Sequence, residues 1–282
     1  MSDPSESESQ PRGLKWWGMT HPGRFRQNNE DSFLALTFNS QEFNYLGKEG
    51  EATLDIGDFV FAVSDGMGGA NSGEFASRIA VQKIAELLPR SFKLGLAGIN
   101  SGHEEISEEL FQRIHDEMRR MGRHYEECRG MGATLSLAWF TPQWLHFCHI
   151  GDSRIYYLPK ATEAGMMQLT HDHTDVYDQF AAGKINERQA RLHPERNILQ
   201  QVLGVGINEI NPQVGAVGIE VGDRFMICSD GVIDGVRNHR IESLIRNPMG
   251  KFQDMNVAHR LVQDSLEESG RDNITAVVVE VI

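Results

Sequence analysis

Four aspartates in this sequence stand where an apolar run gives way to a polar turn. Asp65 follows the run Phe59–Val63, Asp230 follows a second apolar run, and both precede glycine. Asp152 and Asp272 lie in short Gly-Asp-Ser and Arg-Asp-Asn blocks at similar junctions. Carboxylates delivered at strand ends can face a hard cation, and a following glycine lets a backbone carbonyl approach it. An ordinary turn would explain any one of these aspartates, but four of them at similar strand ends predict a shared site.

A polar block near the N-terminus adds Arg26, Glu30 and Asp31 to this set. A surface ion pair is its ordinary interpretation. The alternative is an anion-binding guanidinium beside metal-binding carboxylates, because arginine offers a planar fork to phosphate oxygens. Two Mg²⁺ or Mn²⁺ ions roughly 3.5–4 Å apart can share a water, lower its pKa and direct it at phosphorus. The carboxylates available for that chemistry, with no His or Cys required, are Glu30, Asp65, Asp152, Asp230 and Asp272.

The composition excludes several other classes of function. The formal net charge of −13 over 282 residues argues against nucleic acid and against an anionic membrane surface, since both favour clustered Lys and Arg. No apolar stretch approaches the roughly 20 residues that span a bilayer, and the N-terminus lacks a signal pattern. Three cysteines, far apart and odd in number, predict neither a disulfide framework nor a zinc cluster. We therefore expect a cytoplasmic protein.

The elements that must position these residues follow from periodicity. A Ser-, Glu- and Pro-rich tail over 1–13 is predicted to be disordered. Helical spacing over Ala76–Leu88 predicts a helix that ends at Pro89. Runs at 133–140, 144–150 and 155–158 predict three strands of one antiparallel meander. The overall order of strands, helices, strands, helices and a final strand predicts an α+β fold of antiparallel sheets covered by helices.

The stretch 172–205 is polar and predicted to be helical in part. It carries a local basic cluster, which is either a solvated face or, in an otherwise acidic protein, a surface that attracts an anionic substrate. The members of this cluster are Lys184, Arg188, Arg191, His193 and Arg196.

These motifs resemble the metal-dependent Ser/Thr protein phosphatases of type 2C, especially the compact bacterial members. The resemblance covers 16–282, in effect everything except the tail. Each motif is weak alone, but six in the order and spacing of that family are a strong signal. They are Arg26-Gln-Asn-Asn-Glu-Asp31, Val63-Ser-Asp-Gly-Met-Gly-Gly69, Gly130-Met-Gly-Ala-Thr134, Gly151-Asp-Ser-Arg154, Ser229-Asp-Gly231 and Arg271-Asp-Asn273.

The resemblance implies a single catalytic domain over 14–282, built as a four-layer α-β-β-α sandwich with two central antiparallel sheets. The stretch 172–205 corresponds to the variable flap beside the site of that family. Phosphorylated proteins, either Ser/Thr kinases or their substrates, are the implied partners in bacterial signal transduction. We expect a monomer that binds neither nucleic acid nor membrane.

The resemblance also assigns roles to the candidate residues. Arg26 would bind the substrate phosphate, and a water shared by two Mn²⁺ or Mg²⁺ ions would attack the phosphoryl group. The first ion would be held by Glu30, Asp65 and the carbonyl of Gly66. The second would be held by Asp65, Asp230 and Asp272, so that Asp65 bridges the two ions. A third, weaker ion would involve Asp152 and Asp230, while Asp31 and Asn273 would orient ligands and waters from behind.

Two departures from the family pattern bear on activity. Met67 stands where animal members commonly carry a histidine proposed as the general acid, so leaving-group protonation is expected to fall to a bound water. Ala133 replaces a threonine common in bacterial relatives, and we expect that change to alter strand packing. Neither departure removes a predicted metal ligand, which favours an active enzyme. The alternatives are a catalytically silent relative that binds a phosphoprotein or kinase through the flap, and a metal-dependent enzyme acting on small phosphate esters.

Overall fold

The computed structural model describes residues 13–68, 72–96, 102–206 and 209–282, so the predicted tail, apart from Gly13, lies outside the described residues. The strands of the described part, β1 to β13 in order, are Gly13–His21, Asp31–Phe38, Phe43–Tyr45, Glu49–Thr53, Asp58–Met67, Gly132–Ala133, Leu135–Phe140, Trp144–Ile150, Arg154–Leu158, Met167–Gln168, Gln213–Gly218, Arg224–Cys228 and Ile274–Val281. The α-helices, α1 to α7, are Ser72–Leu96, His103–His124, Asp175–Ala181, Glu187–Leu192, Asp230–Gly235, Asn238–Arg246 and Val257–Glu268.

The strands form two antiparallel sheets that pack face to face. One sheet has the order β10-β9-β12-β13-β1-β4, and the other has the order β11-β8-β7-β5-β2-β3 with β6 paired to β5. Side chains from both sheets meet in the layer between them, including Trp16, Phe61, Phe140 and Phe225. Helices α1 and α2 cover one outer face, and α5, α6 and α7 cover the other. The predicted four-layer α+β sandwich is confirmed.

Strand β5 shows why the middle of a central strand is continuously apolar. Successive side chains of a strand point to opposite faces of the sheet. Phe59, Phe61 and Val63 therefore face the other sheet, whereas Val60 and Ala62 face the helices. Because both faces of the strand are buried, residues 59–63 are all apolar and do not alternate with polar residues. After Asp58 at the start of the strand, the next polar side chains, Ser64 and Asp65, come at the end that leads to the site.

The predicted end of the first helix is wrong, because α1 continues past residue 89 to Leu96. A proline inside a helix removes one backbone hydrogen bond and crowds the preceding turn. The buried face of α1, which includes Ala76, Ile79, Ala80 and Ile84, packs on the sheet and sustains the helix despite that local loss.

The predicted three-strand meander is also wrong in its last member. Strands β7 and β8 pair as expected, but β9 belongs to the other sheet, where it pairs with β10 and β12. The chain passes from one sheet to the other at a turn that contains Gly151. The φ angle of Gly151 is +107, and a Cβ atom added to this residue would lie 2.6 Å from the side chain of Thr134. Only glycine fits such a turn without strain. As a result, Asp152 emerges between the two sheets instead of on one edge.

The segment 172–205 is partly helical, as predicted, since it contains α3 and α4. Thr174 caps α3 by accepting a hydrogen bond from the N–H of Tyr177, and Asn186 forms a capping box with Gln189 at the start of α4. Within the described ranges, no helix has the length and apolar character needed to cross a bilayer.

Candidate active site

The centre of the candidate site is the pair of neighbouring strands β2 and β5. Asp31 and Asp65 are register partners in this antiparallel pair, so the two carboxyl groups start from adjacent positions. Burial and the charges of Asp31 and Asp230 raise the pKa of Asp65 well above its ordinary value. Like charges held together in a poorly solvated place favour protonation or a bound cation. The structure therefore concentrates negative charge at Asp65.

Asp31 lies behind Asp65 and is almost fully buried. Its Oδ2 accepts a hydrogen bond of 2.7 Å from Oγ of Ser229, while its buried Oδ1 makes no hydrogen bond to any residue that the structure describes. Burial raises the pKa of Asp31 to about 6. Ser229 immediately precedes Asp230, and its Oγ also accepts from the N–H of Thr275 at 3.0 Å. This contact ties β2, α5 and β13 together beneath the site.

Glu30 and the carbonyl of Gly66 converge on the first turn of α1. The N–H of Gly66 donates to the Glu30 carbonyl at 3.0 Å. A Cβ added to Gly73 would lie 2.5 Å from a carboxylate oxygen of Glu30 and 2.9 Å from the Gly66 carbonyl oxygen. The two oxygens predicted to share one ion thus face the same small space, which a side chain at Gly73 would fill. Gly69, which ends the motif, lies outside the described residues.

Asp230, Asp152 and Asp272 approach the same region from three other elements. Asp230 is the first residue of α5, and its buried Oδ1 has no hydrogen-bond partner in the described ranges. Burial and the charge of Asp152 raise the pKa of Asp230 well above its ordinary range, and Asp234 and Asp272 add to the effect. Burial, followed by the charge of Asp172, raises the pKa of Asp152 to about 7. The predicted carboxylates are therefore electrostatic neighbours.

This donor set fits hard divalent cations. It consists of carboxylate and carbonyl oxygens, which Mg²⁺ and Mn²⁺ prefer. One of its buried oxygens, Oδ1 of Asp230, has no hydrogen-bond partner among the described residues, and the same holds for Oδ1 of Asp31 behind the set. Among the residues that the structure describes, no group of three or more His, Cys, Asp or Glu side chains is arranged to hold a metal ion by itself. A bound Mg²⁺ usually keeps several waters beside one or two carboxylates, so such a group is not a requirement for this kind of ion.

Arg26 lies at the rim of this carboxylate group. One of its terminal nitrogens donates to Oδ2 of Asp272 at 2.8 Å, and the side chain is half exposed. That hydrogen bond is the largest cause that raises the pKa of Arg26, and the charges of Glu30 and Asp65 add to it. Because a guanidinium has five N–H donors, the contact with Asp272 leaves others for an incoming anion.

Asn273 joins the two strand ends that carry Glu30 and Asp272. Its Oδ1 accepts from the N–H of Glu30 at 2.7 Å, and its Nδ2 donates to the carbonyls of Pro22 and Asn28. The N–H of Asn273 donates to Oδ1 of Asp272 at 2.9 Å. The structure thus places Asn273 where it can fix the loop that presents Arg26 and Glu30.

The contact of Thr134 with the site was not predicted from the sequence. Oγ1 of Thr134 accepts from the N–H of Asp65 at 3.0 Å and lies 2.6 Å from Oγ of Ser153. The hydroxyl therefore links the strand end before Gly66 to the turn that carries Asp152. The only signal in the sequence is the glycine-rich block that contains Thr134, and that block by itself indicates strand packing.

A second missed residue is Asp234, which lies one helical turn after Asp230. Spacing of i to i+4 places both carboxylates on one face of α5, so the pattern itself contained the signal. Asp234 forms two hydrogen bonds of 2.6 Å with Arg196 of the flap. Its charge also raises the pKa of Asp152 and Asp230.

A cleft of about 210 Å³ opens between the flap and the carboxylates. Its walls include Asp152, Asp230 and Arg154, whose guanidinium makes three hydrogen bonds of 2.6–3.1 Å to Asp172. The predicted basic cluster divides at this cleft. Arg191 and Arg196 line the cleft and donate hydrogen bonds to α5, Arg191 to the Ile233 carbonyl and Arg196 to the Asp234 carboxylate. The cleft lining does not include the other members of the cluster, which are Lys184, Arg188 and His193.

Comparisons with known proteins agree on one family. A family model described as Protein phosphatase 2C matches residues 51–269. The serine/threonine protein phosphatase PstP of Mycobacterium tuberculosis is 30% identical over 274 residues, which cover 95% of this chain and 45% of that protein. The protein phosphatase PhpP of Streptococcus pneumoniae is 30% identical over 274 residues, covering 93% of this chain and 95% of that protein.

A solved structure has the same fold. It is the catalytic domain of the serine threonine protein phosphatase PstP in complex with two manganese ions, with 27% sequence identity and a TM-score of 0.72. The match covers 96% of this chain and 99% of that chain. The present chain thus spans less than half of full-length PstP and nearly all of PhpP.

Proposed function

Because the chain belongs to the protein phosphatase 2C family, we propose that it is a metal-dependent protein serine/threonine phosphatase. The observation that carries this proposal is the convergence of carboxylates from distant parts of the chain, with Arg26 at their rim. Asp65, Asp230 and Asp272 come from three different elements, yet each influences the charge state of its neighbours. Such a group is costly without a cation, and it serves phosphoryl transfer when one is bound.

In the proposed mechanism, Arg26 holds the phosphoryl oxygens of the substrate and balances the charge that moves towards the leaving group. Glu30, the Gly66 carbonyl and Asp65 would hold one ion. Asp65, Asp230 and Asp272 would hold the other, and Asp152 with Asp230 would hold a third, weaker one. Two bound Mn²⁺ or Mg²⁺ ions supply a water of lowered pKa and stabilise charge on the phosphoryl group. Asp31 and Asn273 orient these ligands through the contacts described above.

We assign the activity to one catalytic domain over 14–282, with the flap over 172–205 beside the cleft. The substrates we propose are phosphorylated Ser/Thr kinases or their targets, so the protein would oppose kinases in bacterial signal transduction. We also propose that it is a cytoplasmic monomer that binds neither nucleic acid nor membrane. The net charge of −13 argues against both of those binding partners.

Hydrolysis of a phosphothreonine peptide tests the proposal. With Mn²⁺ we expect turnover that excess chelator abolishes. Replacing Arg26 by alanine is expected to lower kcat/KM by about 10- to 100-fold, because a charge-assisted hydrogen bond is worth roughly 1.5–3 kcal/mol. Arg26→Lys keeps the charge without the planar fork and should recover part of the loss. Arg24→Ala, two residues away, serves as the matched control.

Two results would contradict this function. Mn²⁺-loaded, folded protein that binds phosphopeptides but leaves them intact would favour the catalytically silent relative. Rapid cleavage of small phosphate esters with poor activity on phosphopeptides would favour an enzyme of small esters.

The exposed part of the basic cluster provides a separate prediction about substrate charge. Lys184 and Arg188 are exposed in the flap, whereas Arg191 bonds to the Ile233 carbonyl. The double change Lys184→Glu and Arg188→Glu is expected to lower kcat/KM for acidic phosphopeptides several-fold at low salt, because exposed charges act over about one Debye length. The loss should shrink at high ionic strength, and it should be small for a neutral peptide. Equal rates at low salt would identify a solvated face.

A further inference from the structure

A single histidine of the flap, His173, hydrogen-bonds both backbone polar groups of Gly151. The N–H of Gly151 donates to Nδ1 of His173 at 3.0 Å, and the N–H of His173 donates back to the Gly151 carbonyl at 2.8 Å. Gly151 is the residue before Asp152, and its φ of +107 sets the direction in which the chain leaves strand β8. His173 therefore controls the turn that presents Asp152.

A second histidine fixes the same carbonyl from the other side. Nε2 of His149 lies 3.0 Å from the Gly151 oxygen and 3.2 Å from the His171 oxygen, and both are acceptors only. The proton of His149 must therefore sit on Nε2, so Nδ1 accepts from Oγ of Ser136 at 2.9 Å. The rings of His149 and His173 stack with their centroids 5.1 Å apart. The Gly151 carbonyl is thus hydrogen-bonded to the buried imidazole of His149, and both ring nitrogens of His149 have partners.

The main chain around His173 also closes the base of the flap. The His173 carbonyl accepts from the N–H of Gln200 at 2.8 Å, and the next residue, Thr174, forms an antiparallel bridge with Leu199. These contacts join the two ends of the segment that contains α3 and α4. The two ends of this segment therefore meet at His173, which is also the residue that hydrogen-bonds Gly151.

We propose that His173 is a positioning residue that locks the Asp152 turn and the base of the flap into one unit. The part of this inference that concerns Asp152 rests on the proposed function, which makes Asp152 a metal ligand. The part that concerns the flap does not. Loss of the Nδ1 acceptor would leave the buried Gly151 N–H unpaired, so the turn would relax and the flap base would open more often.

Three variants distinguish the hydrogen bond from Gly151 to His173 from the packing contribution of the His173 ring. His173→Leu removes the acceptor at similar volume. His173→Asn keeps an acceptor oxygen near the position of Nδ1 and is the rescue variant. His171→Leu is the matched control, because the side chain of His171 is partly exposed and hydrogen-bonds Asp178 within the flap. Thermal unfolding verifies that each variant is folded.

Trypsin digestion of the metal-free protein gives the first readout. Cleavage after the exposed Lys184 and Arg188 requires local opening of the flap. We expect about tenfold faster cleavage in His173→Leu, and rates within about twofold of the parent in His173→Asn and His171→Leu. Equal cleavage of His173→Leu and the parent would overturn the flap part of the proposal. Equally fast cleavage of His173→Leu and His173→Asn would reduce His173 to a space-filling role and overturn its function as an acceptor.

Calorimetric titration with Mn²⁺ gives the second readout. His173→Leu is expected to weaken the lower-affinity class of sites by about 10- to 100-fold, the range seen when a partner behind a metal ligand is lost. The tighter class should keep its affinity, and His173→Asn should bind as the parent does. An unchanged weaker class in His173→Leu would overturn the link to Asp152. A parent protein with no weaker class would overturn Asp152 as a metal ligand, and the protease result alone would then decide the role of His173 in the flap.

Discussion

Replacing Asp230 by asparagine is expected to lower the rate of phosphothreonine peptide hydrolysis by more than about 100-fold. Loss of a partner that only orients a metal ligand costs about 10- to 100-fold, and loss of a charged ligand exceeds that range. Asp230 is proposed to hold both an ion shared with Asp65 and the weaker ion near Asp152. Its buried Oδ1 has no hydrogen-bond partner within the described part of the chain, so this oxygen is available to a cation.

The fold should survive this substitution. Because burial and neighbouring carboxylates raise the pKa of Asp230, the ionised side chain opposes folding of the metal-free protein at neutral pH. Asp230→Asn should therefore melt at or above the temperature of the metal-free parent. Asp254→Asn, on an exposed turn, is the matched control and should retain full activity. Near-parental turnover by Asp230→Asn would show that the site is misplaced.

Asp152→Asn is expected to stabilise the metal-free protein at pH 8 by roughly 2–4 kcal/mol. The pKa of Asp152 is about 7 in the folded chain against 3.8 for the ordinary group, and a tenfold change in proton affinity corresponds to about 1.36 kcal/mol. A group whose folded pKa is raised binds protons more tightly when folded. Its ionisation therefore costs stability progressively as the pH rises from about 4 to 7, and the cost is constant above about 7.

Urea unfolding of the parent and of Asp152→Asn at several pH values measures this effect. Groups that do not interact with Asp152 cancel in the difference between the two proteins, including His149, whose pKa burial lowers to about 3. Asp230 does not cancel, because the charge of Asp152 raises its pKa, and relief of that repulsion adds to the gain. The gain from Asp152→Asn should vanish near pH 4 and reach its maximum above pH 7. Saturating Mn²⁺ should reduce or reverse it, because the carboxylate then has a cation partner. A pH-independent difference would contradict the raised pKa of Asp152.

The sequence by itself identified the oxygen donors of the proposed site and the class of the fold. Oxygen donors at strand ends, each beside a small or turn-forming residue, are local features that can be recognised in one dimension. Asp65 before Gly66 and Asp230 before Gly231 are examples, and the structure brings both into one electrostatic group. The apolar runs of β5 and β13 likewise required two buried faces, which a four-layer sandwich supplies.

Only the tertiary structure decided how those local pieces are joined. The run that forms β9 is equally apolar in either sheet, so its pattern could not show that the chain crosses between the sheets at Gly151. The pairing of Arg26 with Asp272 and the grip of His173 on Gly151 connect residues far apart or on separate elements. Such contacts depend on chain crossings and on the close approach of turns, and neither leaves a periodic trace in the sequence.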